Sequence, residues 1–121
     1  MTPYSFLELA RELLSAPGAA ERHWRTVAVA AHHAVHHAVA AEIGLDASAF
    51  SGTHRAVVDV LNQTPVDAVG ARLKLAKRHL MTLWLMRERA ERRLDDSFGP
   101  DEAALCLAYA EAILAAPPSQ A

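Results

Sequence analysis

The chain has a single cysteine, Cys106, among its 121 residues, so no internal disulfide can form. A reducing, cytoplasmic setting is the simplest expectation. Cys106 lies in the apolar run Ala103 to Ala108 and reads as a small core residue. Aromatic residues are scarce, with three Phe, two Trp and two Tyr, whereas Ala is abundant; that balance favours helix over sheet. No charge-free run of about 20 strongly apolar residues occurs, so no membrane span is expected. The N-terminus lacks a basic region followed by an unbroken apolar stretch, so no secretion signal is read there. Charge of one sign is not scarce overall, since the net value is −2, but it is unevenly placed. Residues 72–93 hold eight Lys/Arg against two Glu, and the rest of the chain is acidic. This basic stretch is either a solvated helix face paired with its neighbours or a surface for an anion such as RNA.

With 52% hydrophobic and 21% charged residues, the composition excludes disorder and suits one domain over residues 1–121, with a loose tail at 117–121. There is no internal repeat. Every strong period is helical, so the expected class is all-α, an antiparallel four- to five-helix bundle. Thr2-Pro3 opens the first helix, and Ser15 to Gly18 ends it. A second helix runs from about Ala20 to Ile43 and stops at Gly44. Thr53 caps a short third helix that ends at Leu61. Thr64-Pro65-Val66-Asp67 resembles a capping box for a fourth helix, reaching about Leu94. Its inward seam is Val66, Val69, Leu73, Ala76, Leu80, Leu83, Arg87, Ala90 and Leu94. Arg87 breaks that stripe and must find a carboxylate, carbonyls or a phosphate. Gly99-Pro100 starts a fifth helix that ends near Ala116.

Against this background, four of the seven histidines fall within six residues of the second helix, in the segment His32-His33-Ala34-Val35-His36-His37. Buried imidazoles need partners, and their charge changes near neutral pH. Helical geometry places Trp24, Val27, Ala28, Ala31, Val35 and Ala38 on the face toward the bundle. Arg25, His32 and His36 lie on a second stripe, and His33 and His37 on a third. This helix has no fully polar side, which predicts cover from the bundle and from a second copy of the chain, a homodimer. His32/His36 and His33/His37 have the spacing of a shared metal, but neither Cys nor acid completes a set, so no metal or other cofactor is expected. Arg25 and His32 stand about two turns apart, as do Arg72 and His79. An Arg–His pair suits metal-free RNA cleavage, the imidazole moving protons and the guanidinium holding phosphate. On that reading Arg25, His32 and His37 are the catalytic candidates. His33, His36, Arg72, His79 and Arg87 are the candidates for ligand binding.

From Phe6 to Leu114 the chain resembles the HEPN superfamily of small prokaryotic helical domains. The opening helix reads Leu-Glu-Leu-Ala-Arg-Glu-Leu-Leu, and the second begins with Arg and is rich in Ala. Members often read Arg, a few residues, then Ser-Arg-Ala-Tyr-Tyr-Ala-x-Phe-His; Arg25 and His37 match the ends of that pattern. Thr53-His54-Arg55 resembles its Ser/Thr-His-Lys element, and Arg87 to Glu91 its Arg-x-x-Ala-Asp element. Ser97-Phe98 before an acidic helix start also fits. Ala30 stands where many members have arginine, histidines replace both tyrosines and the phenylalanine, and Arg92 replaces a later tyrosine. The resemblance implies a HEPN-like bundle. Members with an Arg–His pair are ribonucleases of toxin or effector type, and members without it bind partners. The implied partners are a nucleotidyltransferase-type antitoxin protein, a nucleotide or RNA. The leading expectation is a non-catalytic binding module; the alternatives are a metal-independent ribonuclease and a histidine-cluster metal or ligand binder.

Overall fold

The computed structural model describes residues 2–49, 52–65 and 70–118. They form an all-α bundle of five helices, with no strand among them. These are α1 (Pro3–Ser15), α2 (Glu21–Glu42), α3 (His54–Gln63), α4 (Ala71–Arg92) and α5 (Pro100–Ala115). No helix is long and apolar enough to cross a membrane.

Local chemistry sets the helix ends. The Thr2 hydroxyl accepts from the Ser5 N–H, and Pro3 occupies the first turn, where a missing N–H costs nothing. α2 has Ala at its N-cap and so no side-chain acceptor for the first-turn N–H groups; the reciprocal bond is present, the His23 Nδ1 accepting the Ala20 N–H at 3.0 Å. Gly44 closes α2 in the left-handed region at φ 82°, where a Cβ would be strained. The fourth helix begins later than its sequence suggests. Thr64 ends α3 instead of opening α4, with its N–H bonded to the Leu61 carbonyl, and α4 starts at Ala71 after Gly70. Val66, Asp67 and Val69, assigned to that helix start and seam, lie outside the described residues.

Contacts between ends define the topology. Arg25 at the start of α2 meets the end of α4, and Glu42 at the end of α2 meets Arg72 at the start of α4. His79 stacks on Tyr109, and Arg89 pairs with Glu102, so α4 and α5 are antiparallel as well. The result is an up-down-up-down four-helix bundle, with α3 carried in the connection from α2 to α4. α2 touches all four other helices. Ten of its residues are buried, Val27, Ala28, Ala31, Ala34, Val35 and Val39 among them. Much of the apolar surface of α2 is therefore covered within the bundle.

The α4 seam packs inward as its spacing predicts at Leu73, Ala76, Leu80, Leu83 and Ala90. Each fully buried Leu of this kind contributes about 1.5–3 kcal/mol. Leu94 is the exception: it follows the last turn of α4 and is 71% exposed. Cys106 is buried in the core, and burial pushes its thiol up to about 12.

A histidine cavity between α2, α3 and α4

The four histidines of α2 line one cavity of about 300 Å³, together with Ala47, His54, Trp84 and Arg87. The two α2 stripes separate on a helical projection, yet both meet this cavity. Successive residues are only about 100° apart, and α3 with its loop stands off α2 far enough to leave space. α4 contributes Trp84 and Arg87, one turn apart on the same side. His54, the first residue of α3, is placed by Thr53, whose hydroxyl accepts the Ala56 N–H. Gly52 is required where the loop closes: a Cβ there would stand 1.8 Å from the Asp46 carbonyl oxygen. Its own carbonyl accepts from His36 Nε2 at 2.8 Å, tying the loop to α2.

At the centre is His32, 0% exposed and held at both ring nitrogens. Arg87 Nη1 lies 3.1 Å from Nδ1, and His54 Nδ1 lies 3.2 Å from Nε2. An arginine donates only, so His32 Nδ1 is an acceptor and the ring proton sits on Nε2. That proton goes to His54 Nδ1, and His54 in turn carries its proton on Nε2. One guanidinium thus orients two imidazoles. His54 Nε2 is buried and has no hydrogen-bond partner among the described residues. The His54 ring stacks on Trp84 at 4.3 Å, and His33 lies 4.1 Å from His37 and 4.2 Å from Phe6, ring centre to ring centre.

His32, His33, His36 and His54 are pushed toward the neutral form. Burial, followed by the charge of Arg87, brings His32 down to about 2. Burial, with His37 next in weight, brings His33 to about 4; burial and His36 do the same for His54. His36 is lowered too, chiefly by burial, and its bond to the Gly52 carbonyl works against that shift. Among the described residues no carboxylate lines the cavity. Glu91 is engaged by Arg87 Nε at 2.5 Å, and Asp46 accepts from Ser48. Among the described residues no three His, Cys, Asp or Glu side chains are grouped to hold a metal ion.

Three of the sequence-derived site residues lie elsewhere. Arg25 does not join His32. Its Nη1 donates to the Arg89, Ala90 and Arg93 carbonyls at 3.1, 2.9 and 3.3 Å, and Nη2 to Glu21 and the Asp96 carbonyl. It adds donors at the C-terminus of α4, where backbone N–H groups reach the Arg89 and Arg93 carbonyls but none is recorded for Ala90. Arg72 does the same for α5, donating to the Ile113 and Leu114 carbonyls and to the Tyr4 hydroxyl. His79 stacks on Tyr109 at 4.0 Å and does not pair with Arg72. The basic stretch is largely engaged within the chain. Lys77 donates to the Thr64 carbonyl, Arg89 pairs with Glu102, and Arg92 with Glu88.

His54 and Trp84 are the site residues that site reasoning from the sequence missed. The signal for Trp84 is its position three residues before Arg87, on the seam side of α4. His54 carried its place after a capping threonine and in the family-like Thr53-His54-Arg55 element, but nothing that tied it to the α2 histidines. No family model, curated protein or solved structure matches this chain.

Proposed function

We propose that this chain is a HEPN-like helical module that binds a partner and has no ribonuclease activity. The observation that carries this reading is the state of His32. A general base needs a free nitrogen within reach of substrate and a pKa near the working pH. His32 is enclosed, bonded at both nitrogens and held far below that range. Arg25, the phosphate-holding residue of the catalytic alternative, is consumed by α4 carbonyls. What remains is a cavity furnished for binding by His33, His36, His37, His54, Trp84 and Arg87. A nucleotide, or a partner protein of nucleotidyltransferase type presenting one, is the occupant this reading favours. Incubation with single-stranded and structured RNA in EDTA should give no cleavage above that of a His37→Ala variant. Cleavage by the parent chain that His37→Ala abolishes, with the fold intact, would overturn the reading in favour of the nuclease.

A further inference from the structure

We infer that the histidine cavity is a proton-linked oxyanion site: it takes a phosphate-type group on Arg87 and its imidazoles, which acquire protons as the anion enters. This deepens the binding-module reading and rests on it. The argument starts from what faces the cavity. α2 presents His32, His33, His36 and His37; α3 presents His54; α4 presents Trp84 and Arg87; the loop presents Ala47. α1 meets this group through Phe6, against His33. The nearest carboxylates, Glu91 and Asp46, are bonded to Arg87 and Ser48 and do not line the space.

Among the described lining residues, apart from the indole N–H of Trp84 and the fully engaged ring of His32, the polar side chains are therefore one cation, Arg87, and imidazoles that can become cations. Without a counter-ion a protonated imidazole here would face Arg87 and other imidazoles in a poorly solvated space, an arrangement that electrostatics opposes. An anion removes that opposition, so anion and proton bind better together than apart. The linkage is reciprocal: acidification must raise anion affinity to the same degree that the anion raises proton affinity.

Donors are already in place. Arg87 uses Nε on Glu91 and Nη1 on His32, and Nη2 has no hydrogen bond among the described residues. His54 Nε2–H is oriented by the Arg87–His32 chain and is without a partner among the described residues, but it is buried, so it reaches an anion only with a shift of the ring. His36 keeps Nδ1 open to a proton, because its Nε2 is bonded to Gly52. The cavity of about 300 Å³ is at the small end of ligand sites, which run from roughly 300 Å³. A second depression, of about 280 Å³, shares His54 and Trp84 with it and is lined further by Val58, Met81, Arg55 and Asp59. A phosphate carried on an organic group would set that group there.

Sulfate is the diagnostic probe, because its charge does not change across the pH range where the imidazoles titrate, whereas that of phosphate does. Calorimetry of the full chain with sulfate, in two buffers of different ionisation enthalpy, counts the protons taken up. Affinity should rise about fivefold or more between about pH 7.5 and about pH 6, with net proton uptake, as expected for ordinary coupling. Arg87→Gln should abolish binding. His33→Gln should reduce both the affinity and the proton count. Comparing inorganic phosphate with adenosine monophosphate at one pH separates the sources: tighter binding of the nucleotide assigns the site to a phosphorylated organic ligand, and equal or weaker binding to the free ion. A pH-independent affinity, or no binding of sulfate at either pH, overturns the inference. RNA cleavage that His37→Ala abolishes would sink the module reading; a chain that neither cleaves RNA nor binds sulfate sinks the oxyanion site alone.

Discussion

Acidification from about pH 7.5 to about pH 4.5 is expected to remove at least 2 kcal/mol of stability through His32 alone. Above about pH 6.5 the ring is neutral both in the native protein and in the unfolded chain, so no stability is lost there. Below that value the unfolded chain takes up a proton that the native protein, with His32 at about 2, does not accept. Each pH unit then costs about 1.4 kcal/mol per such group. His33 and His54, both at about 4, add losses in the same direction between about pH 6.5 and their native values. Their contribution is smaller than burial of His32 would suggest, because both rings are partly exposed and solvent screens them. Carboxylates act later. Glu21, lowered by the Phe98 N–H and by Arg25, loses its contribution only as pH falls below the ordinary carboxylate range. For a domain whose total stability is of order 5–15 kcal/mol, the histidine loss is a large share. Urea unfolding at the two pH values measures it. Equal stability at both would show that the imidazoles are not held neutral in the native state.

Removing the Arg25 side chain should cost about 2–4 kcal/mol, the range for stranding several charge-assisted bonds at partly buried acceptors. The reason is local. The carbonyls of Arg89, Ala90 and Arg93 end α4, and the Arg25 guanidinium donates to all three; the Arg89 carbonyl also accepts the Arg93 N–H and the Arg93 carbonyl the Asp96 N–H, so it is Ala90 that depends on Arg25 most. The same guanidinium bonds Glu21, whose carboxylate accepts the Phe98 N–H at 2.8 Å, so the turn after α4 is held by one linked set. Arg25→Lys should recover little of the loss, because an ammonium offers three donors at one point and lacks the planar fork. Thermal unfolding of Arg25→Ala and Arg25→Lys checks this. Unchanged melting, accompanied by loss of an RNA-directed activity, would instead return Arg25 to a substrate-binding role.

These two arginines of the bundle ends, Arg25 and Arg72, show where sequence reading stops. Helical spacing found the elements and their inward faces, because periodicity is local and each segment carries its own. It also found the histidine segment, since four imidazoles in an Ala/Val helix are visible without a fold. It could not show that Arg25 reaches carbonyls 64 to 71 residues away, because an acceptor on the main chain leaves no mark in the side-chain pattern. A guanidinium capping a neighbouring helix and one holding phosphate look alike in sequence. The start of α4 was misread for a related reason. Thr64-Pro65 has the composition of a helix start, and the carbonyl of Leu61 instead draws the Thr64 N–H into closing α3. Leu94 continues the α4 spacing but falls beyond the last helical turn, so its face carries no meaning. How many neighbours cover α2 was likewise not legible from its own pattern: the bundle gives it four.

The central claim is that His32 is a fixed, neutral element of a binding cavity and not a proton-transfer group. Long-range nitrogen-15 NMR of the histidine rings tests it most directly, over the pH range in which the domain stays folded. The account predicts that His32 keeps one tautomer throughout, protonated at Nε2 and bare at Nδ1, with no titration as pH falls through the unfolded value of about 6.5. A His32 ring that titrates near that value, or that carries its proton on Nδ1, would contradict it.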